Sequence, residues 1–330
     1  MDSIIGFDKE REYLINSYKK NNLNNSIIIS GQKGIGKNYF LKLFIKEIFT
    51  MSIQSNNLDH HLNLIDTNSH PNVKYLSREI DEKTKKIKKY ITIDQIRNLK
   101  NFSYVSSSIE DLIKVVIIDS ADEMNLNASN SILKLLEEPK KNTFFFLISH
   151  QLSSLLPTIR SRCLKIKFHN HTFDNFQLIL KDQFGKNNLE NIKFLYDISN
   201  GSPGIAIQFD DKEIIDIFDD TVDSVASKVP LSKKNIELSS KISEFENEKF
   251  QTYISVLKFI LLNLSKIKID MNALDQFVSN KIKKLIIRSE NISQKTIIKK
   301  LEYLIKNEND LFTYNLDKKF FLLNFFSEIE

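Results

Sequence analysis

The chain has 330 residues, 41% of them apolar and 27% charged, with a net charge of +5, one cysteine and no tryptophan. That length leaves room for two or three domains, and the composition is that of an ordinary soluble globular protein. The lone Cys163 excludes an internal disulfide and a multi-cysteine zinc site, the mild positive charge permits nucleic-acid contact without marking a dedicated binder, and no apolar run approaches the roughly 18 residues of a membrane span. The acidic start MDSIIGFDKERE lacks an apolar signal core, so a cytoplasmic chain without membrane contact is expected.

Glu10 to Lys20 is predicted helical, with Leu14, Ile15 and Tyr18 on one face. A short apolar run, Ile27 to Ile29, then stops at Gly31-x-x-Gly34-x-Gly36-Lys37. Tyr39, Phe40, Leu43, Phe44 and Ile48 follow with a helical period. Strand, glycine turn, lysine and helix in that order describe a P-loop. The glycines let the backbone N–H groups curl toward a phosphate at the positive end of a helix, and the lysine reaches the outer phosphates. Three of the chain's seven glycines fall in these six residues, so Gly31, Gly34, Gly36 and Lys37 are the predicted phosphate ligands. The next position should carry Ser or Thr, whose hydroxyl holds Mg²⁺; it is Asn38, a poor substitute.

Asn72 to Leu76 is a second predicted strand. Glu79 to Tyr90 is charged and suggests an exposed hairpin turning at Asp81 to Thr84, with Lys83 to Lys89 a solvated face rather than a DNA contact. Thr92-x-x-Gln95 is a capping box opening a helix that carries Ile93, Ile96 and Leu99. Lys114 to Asp119 is a buried-type strand ending in an acid about 80 residues after the P-loop, where a second metal-holding carboxylate belongs. An ATPase of this type would have Glu next, but Ser120 stands there, and Glu123 lies a helical turn further on. Asn127 to Glu138 is a predicted helix ended by Pro139. Thr143 to Ser149 is an apolar strand, with Ser149 and His150 in the position of a polar sensor. Leu155 to Arg162 is a short helix and Leu164 to Phe168 a last strand.

This alternation from 26 to 168 predicts an α/β domain whose mostly parallel sheet is covered on both faces. From 172 onward only helices are predicted. Phe173 to Phe184 and Leu189 to Ser199 are closed by Gly201-Ser-Pro-Gly204. Further on, Phe250, Ile254, Leu257, Leu261 and Leu264 share one helix face, and Ile298, Leu301 and Ile305 another. Cys163 reads as a small core residue. His60, His61 and His70 read as polar loop residues, and no metal site is predicted.

Residues 115–163, VVIIDSADEMNLNASNSILKLLEEPKKNTFFFLISHQLSSLLPTIRSRC, closely resemble the delta-prime and gamma/tau subunits of the bacterial DNA polymerase III clamp loader. The Leu-Leu-Glu-Glu-Pro at 135–139 and the Ile-Arg-Ser-Arg-Cys at 159–163 are the most specific parts. Ile4-Ile5-Gly6, Ser69-His70-Pro71, Gly201-Ser-Pro-Gly204 and Tyr314-Asn-Leu-Asp317 extend the resemblance over nearly the whole chain. Three points tilt it toward the delta-prime type. Gly204 stands where an active loader ATPase has a lid arginine, catalytic residues are missing at 38 and 120, and the zinc-binding cysteines of many members are absent.

The resemblance implies an AAA+ α/β P-loop domain with a five-stranded sheet over 1–170. It also implies a small all-α lid over 171–210 and an all-α collar over 211–330 that closes a five-subunit ring. It implies Arg162 as an arginine finger acting in trans, with Arg160 as the fallback. Only six arginines stand against 41 lysines, and two of the six are this pair, which points to a need for the planar guanidinium fork. The implied function is to help load a sliding clamp onto primed DNA, in a hetero-pentamer with gamma/tau and delta subunits and as part of the replisome. The chain's own nucleotide site, Gly31, Gly34, Gly36, Lys37, Asn38 and Asp119, would be degenerate, with ATP and Mg²⁺ held weakly and no cofactor required. The alternative is a self-sufficient gamma/tau-like ATPase, and Asn38, Ser120 and Gly204 count against it. The modest charge and the lack of an aromatic–basic stripe count against an autonomous DNA-binding protein.

Overall fold

The structure, a computed structural model, describes residues 4–53, 57–81, 87–104, 112–184, 189–209, 212–227, 229, 231–269, 285 and 287–327. The chain divides into two compact units, Met1–Asn175 and Phe176–Glu330.

The first unit is built on five strands: β1 (Ser26–Ser30), β2 (Val73–Leu76), β3 (Lys114–Asp119), β4 (Thr143–Ser149) and β5 (Leu164–Lys167). They form one sheet in the order β2-β3-β4-β1-β5, and every pairing is parallel. The apolar runs III, VVII and FFFLI lie at its centre, as expected for strands buried on both faces. Successive side chains alternate between faces, so Ile27 and Ile29 enter one core while Ile28 enters the other. The first core is closed by α1 (Asp8–Lys19), α2 (Lys37–Ser52) and α3 (Leu58–Asp66), through Leu14, Phe40, Phe44, Ile48 and Ile65. The second is closed by α4 (Ile93–Tyr104), α5 (Leu126–Glu137) and the one-turn α6 (Pro157–Arg160), through Ile96, Leu99, Ile132, Leu135 and Ile159. Cys163 belongs to this second core, and burial pushes its thiol up to about 11, which suits the inert packing role.

The predicted capping box is half realised, since the Gln95 side-chain oxygen accepts the Thr92 N–H at 3.0 Å. In the charged segment, Ile80 and Ile87 form an antiparallel bridge and Lys88 N–H reaches the Glu79 carbonyl. The predicted turn residues 82–84 lie outside the described residues.

The histidines depart from expectation. His60 and His61 lie on α3, and His70 is buried against the Phe49 ring. His70 Nδ1 accepts the Asn72 N–H at 3.0 Å, so its Nε2 donates to His61 Nδ1 at 3.1 Å. Burial, aided by His61 and His60, pushes His70 down to about 4. It lies in the loop between α3 and β2 as expected, but as a buried, hydrogen-bonded histidine and not a solvated one.

Among its described residues the second unit has helices joined by turns and loops, and no strand. The helix α7 (Phe173–Phe184) comes first. It is followed by α8 (Leu189–Ser199), α9 (Pro203–Phe209), α10 (Lys212–Val225), α11 (Lys233–Ser243), α12 (Asn247–Ile269), α13 (Gln294–Thr313) and α14 (Lys318–Ser327). Phe250, Ile254, Leu257, Leu261 and Leu264 are all fully buried, as their period predicts. Phe194 of α8 meets Phe218 of α10 at 4.9 Å.

In α13 the predicted stripe is out of phase. Ile298 and Ile305 are exposed, while Ile297, Lys300, Leu304 and Leu311 face inward. A buried lysine misleads a hydrophobic-period reading. Lys300 Nζ donates to the Phe325 carbonyl at 2.6 Å and so satisfies the C-terminal end of α14.

Candidate functional site

The glycine turn sits between β1 and α2. Gly36, with φ +93°, takes the left-handed conformation just before the helix, where any side chain would be strained. Gly31 is needed for a different reason: a Cβ there would lie 2.5 Å from the Phe168 carbonyl oxygen. Gly31 N–H donates to the Ser149 carbonyl at 3.2 Å, and the His171 ring Nε2–H donates to the Ile35 carbonyl at 2.9 Å. The turn is thus fastened to the ends of β4 and β5.

Lys37 is buried in this turn. Its Nζ donates to the Gly31 and Gln32 carbonyls, each at 2.6 Å. Desolvation pulls its ammonium down to about 8, against the opposing pull of Asp119 and Asp122.

Asn38 and Asp119 are brought together, as their placement after the P-loop and at the end of β3 predicts. Their chemistry is unlike that of a metal site. Asn38 Nδ2 donates to Asp119 Oδ2 at 2.9 Å and to the Tyr75 hydroxyl at 2.6 Å, and the Tyr75 O–H donates to the same Asp119 oxygen at 2.5 Å. Burial and this bond to Asp119 lift the Tyr75 phenol far above its ordinary range. Asn38 Oδ1 is buried without a hydrogen-bond partner.

Tyr75 was missed in the sequence. The available signal was its place on β2: the strand pairs with β3 in the register Tyr75 to Ile117, and Asp119 lies two residues beyond Ile117 on the same face.

Asp122 was missed as well. It receives the Ser149 hydroxyl at 2.7 Å, the Ser154 hydroxyl at 3.0 Å, the Ser120 hydroxyl at 3.2 Å and the His150 N–H. It ties the end of β3 to the end of β4, and it fixes Ser120 and the two sensor-position residues as its ligands. Burial, with Lys37 nearby, holds His150 below the usual imidazole range. Glu123 pairs with Arg78 at 2.7 Å, and burial lifts its carboxyl above the usual range. It is committed to that ion pair.

Arg162 lies elsewhere. It follows α6 and precedes β5, and its Nε and Nη2 both engage Glu137 Oε1 at the end of α5. Its Nη1 donates to the Thr158 carbonyl at 2.9 Å. A third of its side chain remains exposed. Arg160 is half-buried, and its Nε has no hydrogen-bond partner among the described residues. Because β5 runs parallel to β1 with Leu164 beside Ile27 and Lys167 beside Ser30, Arg162 sits at the sheet edge where β1 begins. The P-loop sits at the edge where β1 ends.

A five-stranded parallel sheet in this order, with a P-loop after its first strand and a helical remainder, defines an AAA+ type P-loop chain. Residues 8–172, half of the sequence, match the family described as DNA polymerase III, delta subunit, and the chain belongs to that family. It is 42% identical over 102 residues to the DNA polymerase III subunit delta' of Pseudomonas aeruginosa, covering 31% of this chain and 29% of the relative. It is 34% identical over 157 residues to the subunit delta' of Bacillus subtilis, covering 47% and 45%. The chain therefore spans less than half the length of these two curated relatives. Among solved structures, a gamma subunit-related protein of DNA polymerase III from Thermotoga maritima aligns over 96% of this chain and 97% of its own, at 19% identity and a TM-score of 0.45. No helix among the described residues is long and apolar enough to cross a membrane.

Proposed function

We propose that this chain works as a delta-prime-type subunit of a bacterial clamp loader. In a cytoplasmic hetero-pentamer with gamma/tau and delta subunits, it helps place a sliding clamp on primed DNA. It lends Arg162 to a neighbour's ATP site, while its own nucleotide site turns over little ATP. Residues 171–210 serve as the lid and 211–330 as the collar that holds the ring.

The position of Arg162 across the sheet from its own P-loop carries this reading. Four residues of β5 separate the two edges, at roughly 3.3 Å per residue, so the guanidinium lies on the order of 10 Å or more from the turn that follows β1. An arginine so placed can meet a γ-phosphate only on another subunit. There its planar fork would cancel charge building in the transition state, an effect of about 10³–10⁵ in rate. The bonds of Asn38 and Ser120 within the chain's own pocket support the complementary half of the proposal.

The test is DNA-stimulated ATP turnover of a loader rebuilt from this chain with its gamma/tau and delta partners. Arg162→Ala is expected to abolish most of the turnover while the complex still assembles. Unchanged turnover would remove the finger role, and a loss seen with Arg160→Ala instead would move it by two residues.

A further inference from the structure

We infer that Asn38, Tyr75 and Asp119 form a lock in the place where a P-loop protein holds Mg²⁺, so that any phosphate this pocket takes is held without a divalent cation. The inference rests on reading the P-loop as a nucleotide-type site that has lost its catalytic parts. It adds which side chains close the cation half, with Tyr75 as the unexpected member.

Mg²⁺ requires lone pairs arranged octahedrally at about 2.0–2.1 Å, and in P-loop proteins a hydroxyl and a carboxylate supply the protein's share. These residues do not fit it. Asp119 Oδ2 already accepts from Tyr75 and from Asn38, and the Tyr75 oxygen accepts from Asn38. The amide orientation is dictated by its neighbour, because Oδ1 turned toward Asp119 would set one acceptor against another. Position 38 therefore shows N–H to the carboxylate, and an N–H donor cannot ligate a cation. The Tyr75 O–H points its proton at the same carboxylate oxygen, at 2.5 Å. The unused Asn38 Oδ1 is one neutral oxygen beside a carboxylate whose Oδ2 is already engaged twice.

The anion half has the opposite character. Gly36 keeps its left-handed turn, and Lys37 reaches into the loop, bonded to two carbonyls that a phosphate could replace. The pocket thus retains its phosphate side and has filled its metal side with protein.

The experiment measures ATP binding to the full chain by calorimetry, in excess Mg²⁺ and in EDTA, for the wild type and for Asn38→Thr/Tyr75→Phe. That double variant restores a hydroxyl and releases the carboxylate. In the wild type ATP is expected to bind in both buffers, with Mg²⁺ changing the affinity by less than about threefold. In the double variant Mg²⁺ is expected to tighten ATP at least about tenfold. A larger Mg²⁺ effect in the wild type, or a smaller one in the double variant, overturns the lock. Circular dichroism checks folding, and if this double variant does not fold, Asn38→Ser/Tyr75→Phe, which also restores a hydroxyl and releases the carboxylate, is held to the same tenfold criterion. Failure of the lock leaves the Arg162 proposal standing, because turnover in the rebuilt complex reads a neighbour's pocket. Loss of the Arg162 role leaves this titration unchanged.

Discussion

The two edges of one parallel sheet treat their charged groups in opposite ways. At the edge with the P-loop, charges are turned inward and mutually satisfied: Lys37 on the loop carbonyls, Asp119 under two donors, Asp122 under four. At the other edge Arg162 is held by one carboxylate, with the side chains 33% and 45% exposed. Buried polar networks rigidify because breaking them strands unpaired groups, whereas half-exposed ion pairs are screened and exchange readily. The action on a neighbour proposed for Arg162 requires the second kind of edge.

The largest expected effect breaks the comparison at Arg162. Arg162→Lys keeps the charge and loses the fork, and turnover of the rebuilt complex should fall at least about 100-fold, with little change in the chain's melting temperature. A lysine that sustained turnover would show that charge alone suffices.

Next comes the buried edge. Asp122→Ala takes the acceptor from the buried Ser120 and Ser149 hydroxyls and the half-buried His150 N–H, while Ser154 keeps the Gln151 carbonyl, and should cost about 3–5 kcal/mol in urea unfolding. A cost under about 1 kcal/mol would mean that water replaces the carboxylate and that this edge is no more fixed than the other.

Lys37 gives a smaller effect with a defined sign. Its folded-state value, about 8, lies below the ordinary 10.5, so between those values the unfolded chain binds more protons than the folded one. Stability should therefore rise with pH across that window, by at most roughly 3 kcal/mol at about 1.4 kcal/mol per pH unit. Lys37→Met should lack the rise, and the difference between the two unfolding curves isolates this group. Parallel curves would show that Lys37 titrates as an ordinary solvated lysine.

What was legible in the sequence follows the same division. Strands and helices were readable because their signals are local: apolar runs bounded by glycine and proline, a capping box, a helical period. The P-loop was readable because its glycines and lysine are contiguous. Tyr75 and Asp122 were not, because their roles depend on which strand lies beside which, and the register that brings Tyr75 to Asp119 is a property of the sheet. Lys300 shows the converse failure, since its buried ammonium occupies a core position that a hydrophobic period assigns to a neighbour. Arg162 was legible as a residue type in a specific motif, but its place across the sheet from the P-loop emerged only from the parallel pairing of β5 with β1.

The smallest expected effect is the sharpest test of the exposed edge. Glu137 is the carboxylate that holds Arg162 in the isolated chain. If the pair is structural, replacing it should cost what a buried pair costs, several kcal/mol, because a desolvated guanidinium would be left behind. If the pair only parks the arginine, its loss should fall in the range of exposed ion pairs, below about 1 kcal/mol, since water reaches both side chains. Thr158 and Ser161 would still orient the guanidinium through Nη1. We expect Glu137→Gln to lower stability by less than that, and to leave turnover of the rebuilt complex within about threefold of the wild type, because a neighbour's γ-phosphate carries more charge than the carboxylate it displaces. A stability loss above about 2 kcal/mol, with turnover unchanged by Arg162→Ala, would assign this arginine to the fold and leave the ring without a finger from this chain.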